Sequence, residues 1–262
     1  MVLAPVFFSG RISDARLLCI SVLSFCVFCA ASSASYLLND LADIKIDRAD
    51  PRKKLRPLAA GEITPRIQKI MILIAAVAAV AGCAALPVGV AGMVGAYWVG
   101  MVLYTYLLKR IWPLGITIIS LGMIARVFAG ASAIDICVSP WVLPCVFFLT
   151  FYVVLGKRVY DSSNNGGKLP AYMKAVFYLC GLIIVLVYAF YSFYDVTMIK
   201  YHSHWIFLTT IPVAVGIWRY SKIVFNKIAI KEHLQAVVSD PLTAACLGVW
   251  FILFLSIIYF RI

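Results

Sequence analysis

Residues 36–62 read YLLNDLADIKIDRADPRKKLRPLAAGE, a densely charged stretch in a chain of 262 residues that is 64% hydrophobic and only 13% charged. Ten charged side chains follow one another closely here: Asp40, Asp43, Lys45, Asp47, Arg48, Asp50, Arg52, Lys53, Lys54 and Arg56. Each charge left at the centre of a bilayer costs about 2.5 to 3.5 kcal/mol. Together they would cost more than about 25 kcal/mol there, so the stretch lies in water or around ions.

The acidic side chains of this stretch share one face of the helix that its pattern predicts. At about 100° per residue, four aspartates and one asparagine fall within an arc of about 100°. Carboxylates stacked in this way repel one another, so the arrangement favours a bound cation. Hard oxygen ligands with no His or Cys nearby suit Mg²⁺, which takes one or two carboxylates and leaves its other positions to water and substrate phosphate. The residues of this aspartate face are Asn39, Asp40, Asp43, Asp47 and Asp50.

A run of basic residues follows the aspartate face directly. Pro51 predicts the end of the helix, because the residue before a proline is disfavoured in the α region. Metal-binding carboxylates beside clustered Lys and Arg are typical of a diphosphate site, in which the metal bridges oxygens and the cations hold the rest. The alternative is a solvated loop whose basic residues only set membrane topology, but topology needs no aspartate face. The basic residues are Arg52, Lys53, Lys54 and Arg56.

The remainder of the chain is divided into apolar runs. Mean hydropathy is +0.99, and each run is close to the roughly 20 residues that cross a bilayer as a helix. Backbone groups in lipid must be satisfied within the segment, and the alternation typical of barrel strands is missing. We therefore predict an all-α fold, a polytopic membrane helical bundle forming one domain over residues 1–262. The eight predicted spans are 14–38, 67–86, 88–108, 112–133, 140–156, 173–194, 205–221 and 242–260.

The net charge of +12 is distributed unevenly among the loops. Eighteen of the 23 basic residues fall in loops that would lie on one side of the membrane, together with the aspartate face. The positive-inside rule places that side in the cytosol. The excess of basic residues is therefore explained by membrane topology and by an anionic substrate, and it argues against nucleic acid as a partner.

The beginning of the chain carries two further expectations. Residues 1–10 resemble the last turns of a helix whose beginning is absent, which gives eight full spans plus a truncated first helix. Residues 17–38 end in small residues, as a signal peptide does, but the run is too long. We expect it to be a retained span.

Polar residues outside the first stretch give additional candidates. Arg126 is an intramembrane charge, which either belongs to a functional site or pairs with an acid such as Asp135. Lys157 and Arg158 share a helix face with Asp161 and could converge with the aspartate face across a cavity, although a pure topology role is the rival interpretation. We expect Asp240, before Pro241, to be a structural helix cap, and His202 and His204 to be exposed side chains.

These motifs resemble those of a known family. NDLADIKID at 39–47 is similar to the NDxxDxxxD motif of the UbiA superfamily of intramembrane prenyltransferases, which are nine-helix bundles that bind a diphosphate through Mg²⁺ at the cytosolic mouth. The longer string from Tyr36 to Gly61 resembles the decaprenyl-phosphate phosphoribosyltransferase branch. The same is true of RVFAG at 126–130, GKR at 156–158 and the late Asp240-Pro241.

The resemblance implies a reaction and a set of roles. Members of that branch transfer a 5-phosphoribosyl group from phosphoribosyl diphosphate to a polyprenyl phosphate in the bacterial plasma membrane, an early step towards arabinose donors for cell-wall glycans. Three carboxylates, Asp40, Asp43 and Asp47, would be catalytic, and with Asn39 they would bind Mg²⁺. Substrate-binding residues would be Tyr36, Lys53, Lys54, Arg56, Arg126, Lys157 and Arg158. The implied partners are the two substrates and membrane lipids, and the sequence leaves a homo-oligomer open.

Two departures and two alternatives accompany the resemblance. The upstream stretch that supplies a donor-binding lysine in typical members is missing, and Gly115 stands where an acidic residue is often found. One alternative is transfer of an isoprenyl group from its diphosphate to an aromatic acceptor, although such members usually carry a second DxxxD motif where this chain has only Asp161. The other is a transporter for a lipid-linked phosphate, but the paired broken spans typical of transporters are not evident.

Overall fold

The computed structural model of the chain describes residues 1–51, 53–164, 170–194, 205–225 and 233–260. Within these residues every regular element is a helix and no strand occurs, which confirms the predicted all-α fold. The helices pack into two compact units, Met1–Val138 and Ser139–Ile262. The expectation of one domain over residues 1–262 stays a prediction.

The longest helix, α2 (Ala15–Ala49), carries the aspartate face. Asp14 caps its N-terminus by accepting hydrogen bonds from the backbone N–H groups of Arg16 and Leu17. Its 35 residues span about 52 Å, well beyond the roughly 30 Å of a hydrocarbon core. The helix ends at Ala49 before Pro51, as predicted from the proline. Its polar last turns therefore extend past the apolar part.

The first unit is built around α2. A short α1 (Ala4–Phe8) precedes it, and α3 (Pro57–Ala60), α4 (Pro65–Cys83), α5 (Val88–Leu103) and α6 (Trp112–Ala133) follow. A π-helical turn, Tyr104–Leu108, continues α5. The core contains Val6 of α1, Phe28 of α2, Val94 of α5 and Ala129 of α6, all nearly inaccessible. The start of the chain is thus packed into the centre of this unit.

The second unit contains the remaining helices. They are α7 (Val142–Asn164), α8 (Ala171–Phe193), α9 (Thr210–Phe225) after a 3₁₀ turn at Trp205–Thr209, α10 (His233–Val238) and α11 (Pro241–Phe260). Aromatic packing holds the first three together: the rings of Tyr152 and Phe177 stack with centroids 4.4 Å apart, and Tyr220 lies 5.1 Å from Tyr152. Rings of this kind bury a large apolar area in a fixed geometry.

Helices occupy all eight of the predicted spans. Six of them are long and apolar enough to cross a membrane, namely α2, α4, α5 with its π turn, α6, α7 and α8. The other two predicted spans correspond to α9, which has 16 residues, and to α11, whose apolar part is Pro241–Ile257. The protein is a multi-pass membrane protein, and the number of its spans stays a prediction.

The contact between α1 and α6 gives the first prediction. A Cβ atom added at Gly130 would lie 2.0 Å from the carbonyl oxygen of Val2, whereas one added at Gly92 would meet nothing within 4 Å. We expect Gly130→Ala to lower the free energy of unfolding by about 1 to 3 kcal/mol, because α1 must move away from α6. The matched change Gly92→Ala should leave the melting temperature in detergent unchanged or slightly raised. Equal melting temperatures for the two variants would contradict the packing of α1 on α6.

Candidate active site at the end of α2

The chain folds back sharply after α2. Lys53–Leu55 forms a 3₁₀ turn, and α3 ends at Gly61, whose φ of 86° lies in the left-handed region. Glycine adopts this conformation without the steric cost that a Cβ atom would bring. Leu58 of α3 is buried at 4% exposure. This fold-back brings Lys53 and Arg56 next to the aspartates that precede them in sequence, whereas Arg52 lies outside the described residues.

Arg56 joins two carboxylates of the aspartate face. Its Nη1 donates to Asp40 Oδ1 at 2.7 Å and to Asp47 Oδ2 at 2.9 Å. Asp47 is only 2% exposed, and Lys53 Nζ lies 3.9 Å from its other oxygen. A buried carboxylate must be paired, because removing it from water without a partner is costly. Arg56 therefore neutralises the most buried member of the face.

Lys109 pairs with the other half of the aspartate face. Its ammonium group donates to Asp43 and lies 3.5 Å from the Asn39 amide oxygen. It follows the π turn Tyr104–Leu108, and π turns are frequent at functional sites. The sequence analysis did not include Lys109 among the site residues. The signal that could have found it was a lysine at the end of a span on the same predicted side as the aspartates.

The donor set fits Mg²⁺ in its chemistry. It offers carboxylate and amide oxygens on one helix face, and these are the hard ligands that Mg²⁺ takes. Among the described residues, no group of three or more His, Cys, Asp or Glu side chains is arranged to hold a metal ion. Asp40 and Asp47 lie about 10 Å apart along the helix axis. Since Mg²⁺ usually binds one or two carboxylates and fills its other positions with water and substrate phosphate, this arrangement suits a site completed by a phosphate ligand.

The remaining predicted residues of the first stretch lie around this centre. Tyr36 is 61% exposed, one turn before Asp40, and Lys54 is exposed on the 3₁₀ turn. The backbone N–H of Lys53 donates to Asp50 Oδ1 at 3.1 Å, which fixes the start of the turn. Exposed cations beside paired carboxylates leave positive charge available for a further anion.

Arg126 lies on α6 in the apolar part of the first unit. Its guanidinium donates to Ser32 Oγ at 2.9 Å and to the Gly122 carbonyl at 3.0 Å, and it lies 4.6 Å from the centre of the Tyr97 ring. No ion pair with Asp135, or with any other described carboxylate, is present. The pairing alternative is therefore absent within the described residues, and a role in substrate binding stays a prediction.

Lys157 and Arg158 lie in the second unit near the end of α7. Both are exposed, and neither forms an ion pair with a described carboxylate. A close contact fixes the backbone just before them: the Tyr220 hydroxyl donates to the Val153 carbonyl at 2.9 Å, and a Cβ atom at Gly156 would lie 2.2 Å from that hydroxyl. Their convergence with the aspartate face stays a prediction.

Asp240 has the structural surroundings expected of a cap. Its carboxylate accepts from Arg219 at 2.6 to 3.1 Å and from the backbone N–H and hydroxyl of Thr243 at 2.9 and 2.8 Å. The hydrogen bond from Arg219, together with those from Thr243, holds the pKa of Asp240 well below its usual range. The sequence analysis did not anticipate the Arg219 partner. His202 and His204 lie outside the described residues.

Sequence relatives match most of the chain. The model of the UbiA prenyltransferase family matches residues 2–227. A protein of Mycolicibacterium smegmatis named decaprenyl-phosphate phosphoribosyltransferase is 30% identical over 216 residues, which cover 76% of this chain and 68% of the relative. A Corynebacterium glutamicum protein of the same name is 29% identical over 217 residues, covering 76% of this chain and 64% of the relative.

Solved structures share the fold. A UbiA homolog from Aeropyrum pernix K1 superposes with a TM-score of 0.67 at 17% identity, covering 95% of this chain and 98% of that one. A UbiA homolog from Archaeoglobus fulgidus, solved bound to GPP and Mg²⁺, gives a TM-score of 0.60 at 18% identity, covering 89% and 87% of the two chains. At these identities the likeness concerns the fold alone.

The apolar helices and the charged end of α2 define a membrane-embedded transferase. This protein is an enzyme of the transferase class. The chain belongs to the UbiA prenyltransferase family.

The bridge made by Arg56 gives a prediction about stability. Arg56→Gln leaves Asp47 buried with Lys53 at 3.9 Å as its remaining cation, so the free energy of unfolding should fall by about 1 to 3 kcal/mol. The control is Arg48→Gln, because Arg48 Nε makes one exposed bond to the Ala59 carbonyl at 3.3 Å. That change should cost less than about 0.5 kcal/mol. Thermal melting of both variants in detergent without added metal measures the difference. An equal loss of stability in the two variants would contradict the role of Arg56 in neutralising Asp47.

Proposed function

We propose that this enzyme transfers a 5-phosphoribosyl group from phosphoribosyl diphosphate to a polyprenyl phosphate, with Mg²⁺ as cofactor. The observation that carries the proposal is the set of relatives named decaprenyl-phosphate phosphoribosyltransferase, which match three quarters of the chain. The site adds a chemical reason, since both substrates are phosphate esters and cations are clustered at the end of α2. We place the reaction at the cytosolic side of a bacterial plasma membrane, because most basic residues fall in loops of one predicted side.

The first unit would hold the donor. Asn39, Asp40, Asp43 and Asp47 would bind Mg²⁺, which when bound supplies positive charge to the diphosphate oxygens. Arg56 and Lys109 pair with these carboxylates in the free protein. Their N–H groups can also donate hydrogen bonds to diphosphate oxygens. The exposed side chains Tyr36, Lys53 and Lys54 would contact the remaining phosphate oxygens.

The acceptor phosphate would be held by cations as well. Lys157 and Arg158 are exposed and form no ion pair within the described residues, so their charge is available to a phosphate monoester. The intramembrane cation Arg126 would be a further contact to an anionic group of a substrate. The polyprenyl chain would lie in a groove between helices that is open to lipid.

The reaction needs no general base. A polyprenyl phosphate is already anionic, so one of its oxygens forms the new bond to the anomeric carbon of the ribose while the bond from that carbon to the diphosphate breaks. The departing diphosphate carries away the electron pair, and the cations at the end of α2 stabilise its charge. Catalysis then consists of positioning and of electrostatic stabilisation.

A second candidate is transfer of an isoprenyl group to an aromatic acceptor. Homologues with the same fold have been solved bound to GPP or DMAPP together with Mg²⁺. Against this candidate, α7 carries the cations Lys157 and Arg158 and a single acid, Asp161, where a second metal-bound diphosphate would need further carboxylates.

The deciding experiment uses the purified full chain in detergent with Mg²⁺. We expect polyprenyl phosphate and labelled phosphoribosyl diphosphate to yield a labelled lipid and free diphosphate in equal amounts. Turnover only with a prenyl diphosphate and an aromatic acid would establish the second candidate. Binding of the lipid phosphate without any turnover would indicate transport and would contradict both transferase reactions.

The aspartate face gives a prediction about activity. Asp40→Asn and Asp43→Asn should each lower kcat/KM by at least about 100-fold, because each removes a carboxylate from the diphosphate site. Both should also weaken the binding of Mn²⁺ as a spectroscopic substitute for Mg²⁺, measured by electron paramagnetic resonance. Glu62→Gln, an exposed acid past the turn, is the matched control and should retain activity and Mn²⁺ binding. Full turnover in both aspartate variants would overturn the metal assignment.

A further inference from the structure

A groove runs between α8 and α9 in the second unit, and none of the residues assigned to the reaction lines it. Its cavity volume is about 490 Å³, within the range typical of small-molecule sites. The α8 side is lined by Tyr178, Gly181, Leu182 and Val185, which follow the i, i+3, i+4, i+7 spacing of one helix face. Tyr178 and Leu182 are more than half exposed, so the groove opens towards the surrounding lipid.

The α9 side of the groove changes character along its length. Its apolar part is lined by Ala214, Ile217 and Trp218, and the end nearest the C-terminus of α9 is lined by Ser221, Lys222 and the ring of Phe225. The two helices run in opposite directions here, because Tyr178 near the start of α8 stacks on Phe225 at the end of α9, with centroids 5.2 Å apart. The groove is therefore apolar at one end and cationic at the other.

The length of the groove matches one leaflet of a bilayer. Seven residue steps along α8, from Tyr178 to Val185, and eleven along α9, from Ala214 to Phe225, correspond to about 10 and 16 Å. Half of a hydrocarbon core is about 15 Å thick. A hydrocarbon chain anchored at the membrane surface would therefore fill the groove from the polar end and stop near the middle of the membrane.

Among the described residues that line the groove, Lys222 is the cation at the polar end. The other cation on this part of α9, Arg219, already donates to Asp240 through two nitrogen atoms at 2.6 to 3.1 Å. Lys222 forms no ion pair with a described carboxylate, and its ammonium lies 5.8 Å from the centre of the Trp218 ring. Trp and Lys together at the end of a span are typical of the headgroup level of a membrane.

We propose that this groove binds an anionic phospholipid of the surrounding membrane, with one acyl chain along the apolar part and the phosphate on Lys222. Basic pockets between membrane helices recognise anionic headgroups in this way. The site is separate from the proposed reaction, and its occupant would stabilise the packing of α8 on α9. A zwitterionic lipid would bind more weakly, because its own ammonium group offsets the charge of the phosphate that Lys222 would contact.

The test measures the melting temperature of delipidated protein in detergent with phosphatidylglycerol or with phosphatidylcholine of the same chains. We expect phosphatidylglycerol at a hundredfold excess over its Kd to raise the melting temperature by about 5 °C or more, and phosphatidylcholine to raise it much less. Native mass spectrometry should find one phosphatidylglycerol retained per chain. Lys222→Gln and Ala214→Phe, which remove the charge and fill the groove, should each lose most of the shift and the retained lipid.

Two variants serve as controls. Lys222→Arg should keep the shift, and Lys69→Gln, a change at an exposed lysine of α4, should leave it unaltered. The measured quantity is the difference between the melting temperatures of one variant with and without lipid. A variant that is less stable from the start can therefore still be compared with the others. An undiminished shift in Lys222→Gln, or an equal shift with phosphatidylcholine, would overturn the proposal. A Lys222-dependent shift seen with polyprenyl phosphate but not with phosphatidylglycerol would also overturn it, because the groove would then hold the acceptor.

Discussion

Neutralisation of the carboxylates at the end of α2 is the constraint on which the first unit depends. Three aspartates on one helix face repel each other, and Asp47 is almost completely withdrawn from solvent. Arg56, brought back by the turn after Pro51, and Lys109, brought by the π turn after α5, supply the opposing charges. The fold-back of residues 53–61 and the end of α5 are therefore tied to α2 by charge as well as by packing.

The same ion pairs connect stability with function. In the free protein Arg56 and Lys109 are each held by carboxylates of the aspartate face, so these pairs carry little unbalanced charge. A diphosphate with a metal ion brings its own negative and positive charges, which could replace these pairs one for one without leaving a buried group unpaired. A site of this kind can bind a highly charged substrate beside a membrane at a small desolvation cost. The proposed phosphoribosyl transfer requires this property, because donor and acceptor are both anionic.

In the second unit, one cation forms an ion pair with a carboxylate and has a structural role, whereas other cations are unpaired within the described residues and are available to anionic ligands. Arg219 is fully engaged by Asp240, which also caps α11 through Thr243, so this pair ties α9 to the start of α11. Lys157, Arg158 and Lys222 have no described carboxylate partner. They are the residues assigned to anionic ligands, the first two to the acceptor phosphate and the third to a membrane lipid.

The sequence by itself determined the helical class, the positions of the apolar helices, the end of α2 before Pro51 and the aspartate face, because hydropathy, proline geometry and helical periodicity act over a few residues. It did not determine the partners of the aspartates. Lys109 lies 66 residues from Asp43, and no local pattern relates them. Only the tertiary structure decided that Arg56 bridges Asp40 and Asp47, that Arg126 contacts Ser32 and an aromatic ring in place of Asp135, and that Arg219 engages Asp240. These choices depend on which helices pack together, and packing is a property of the whole unit.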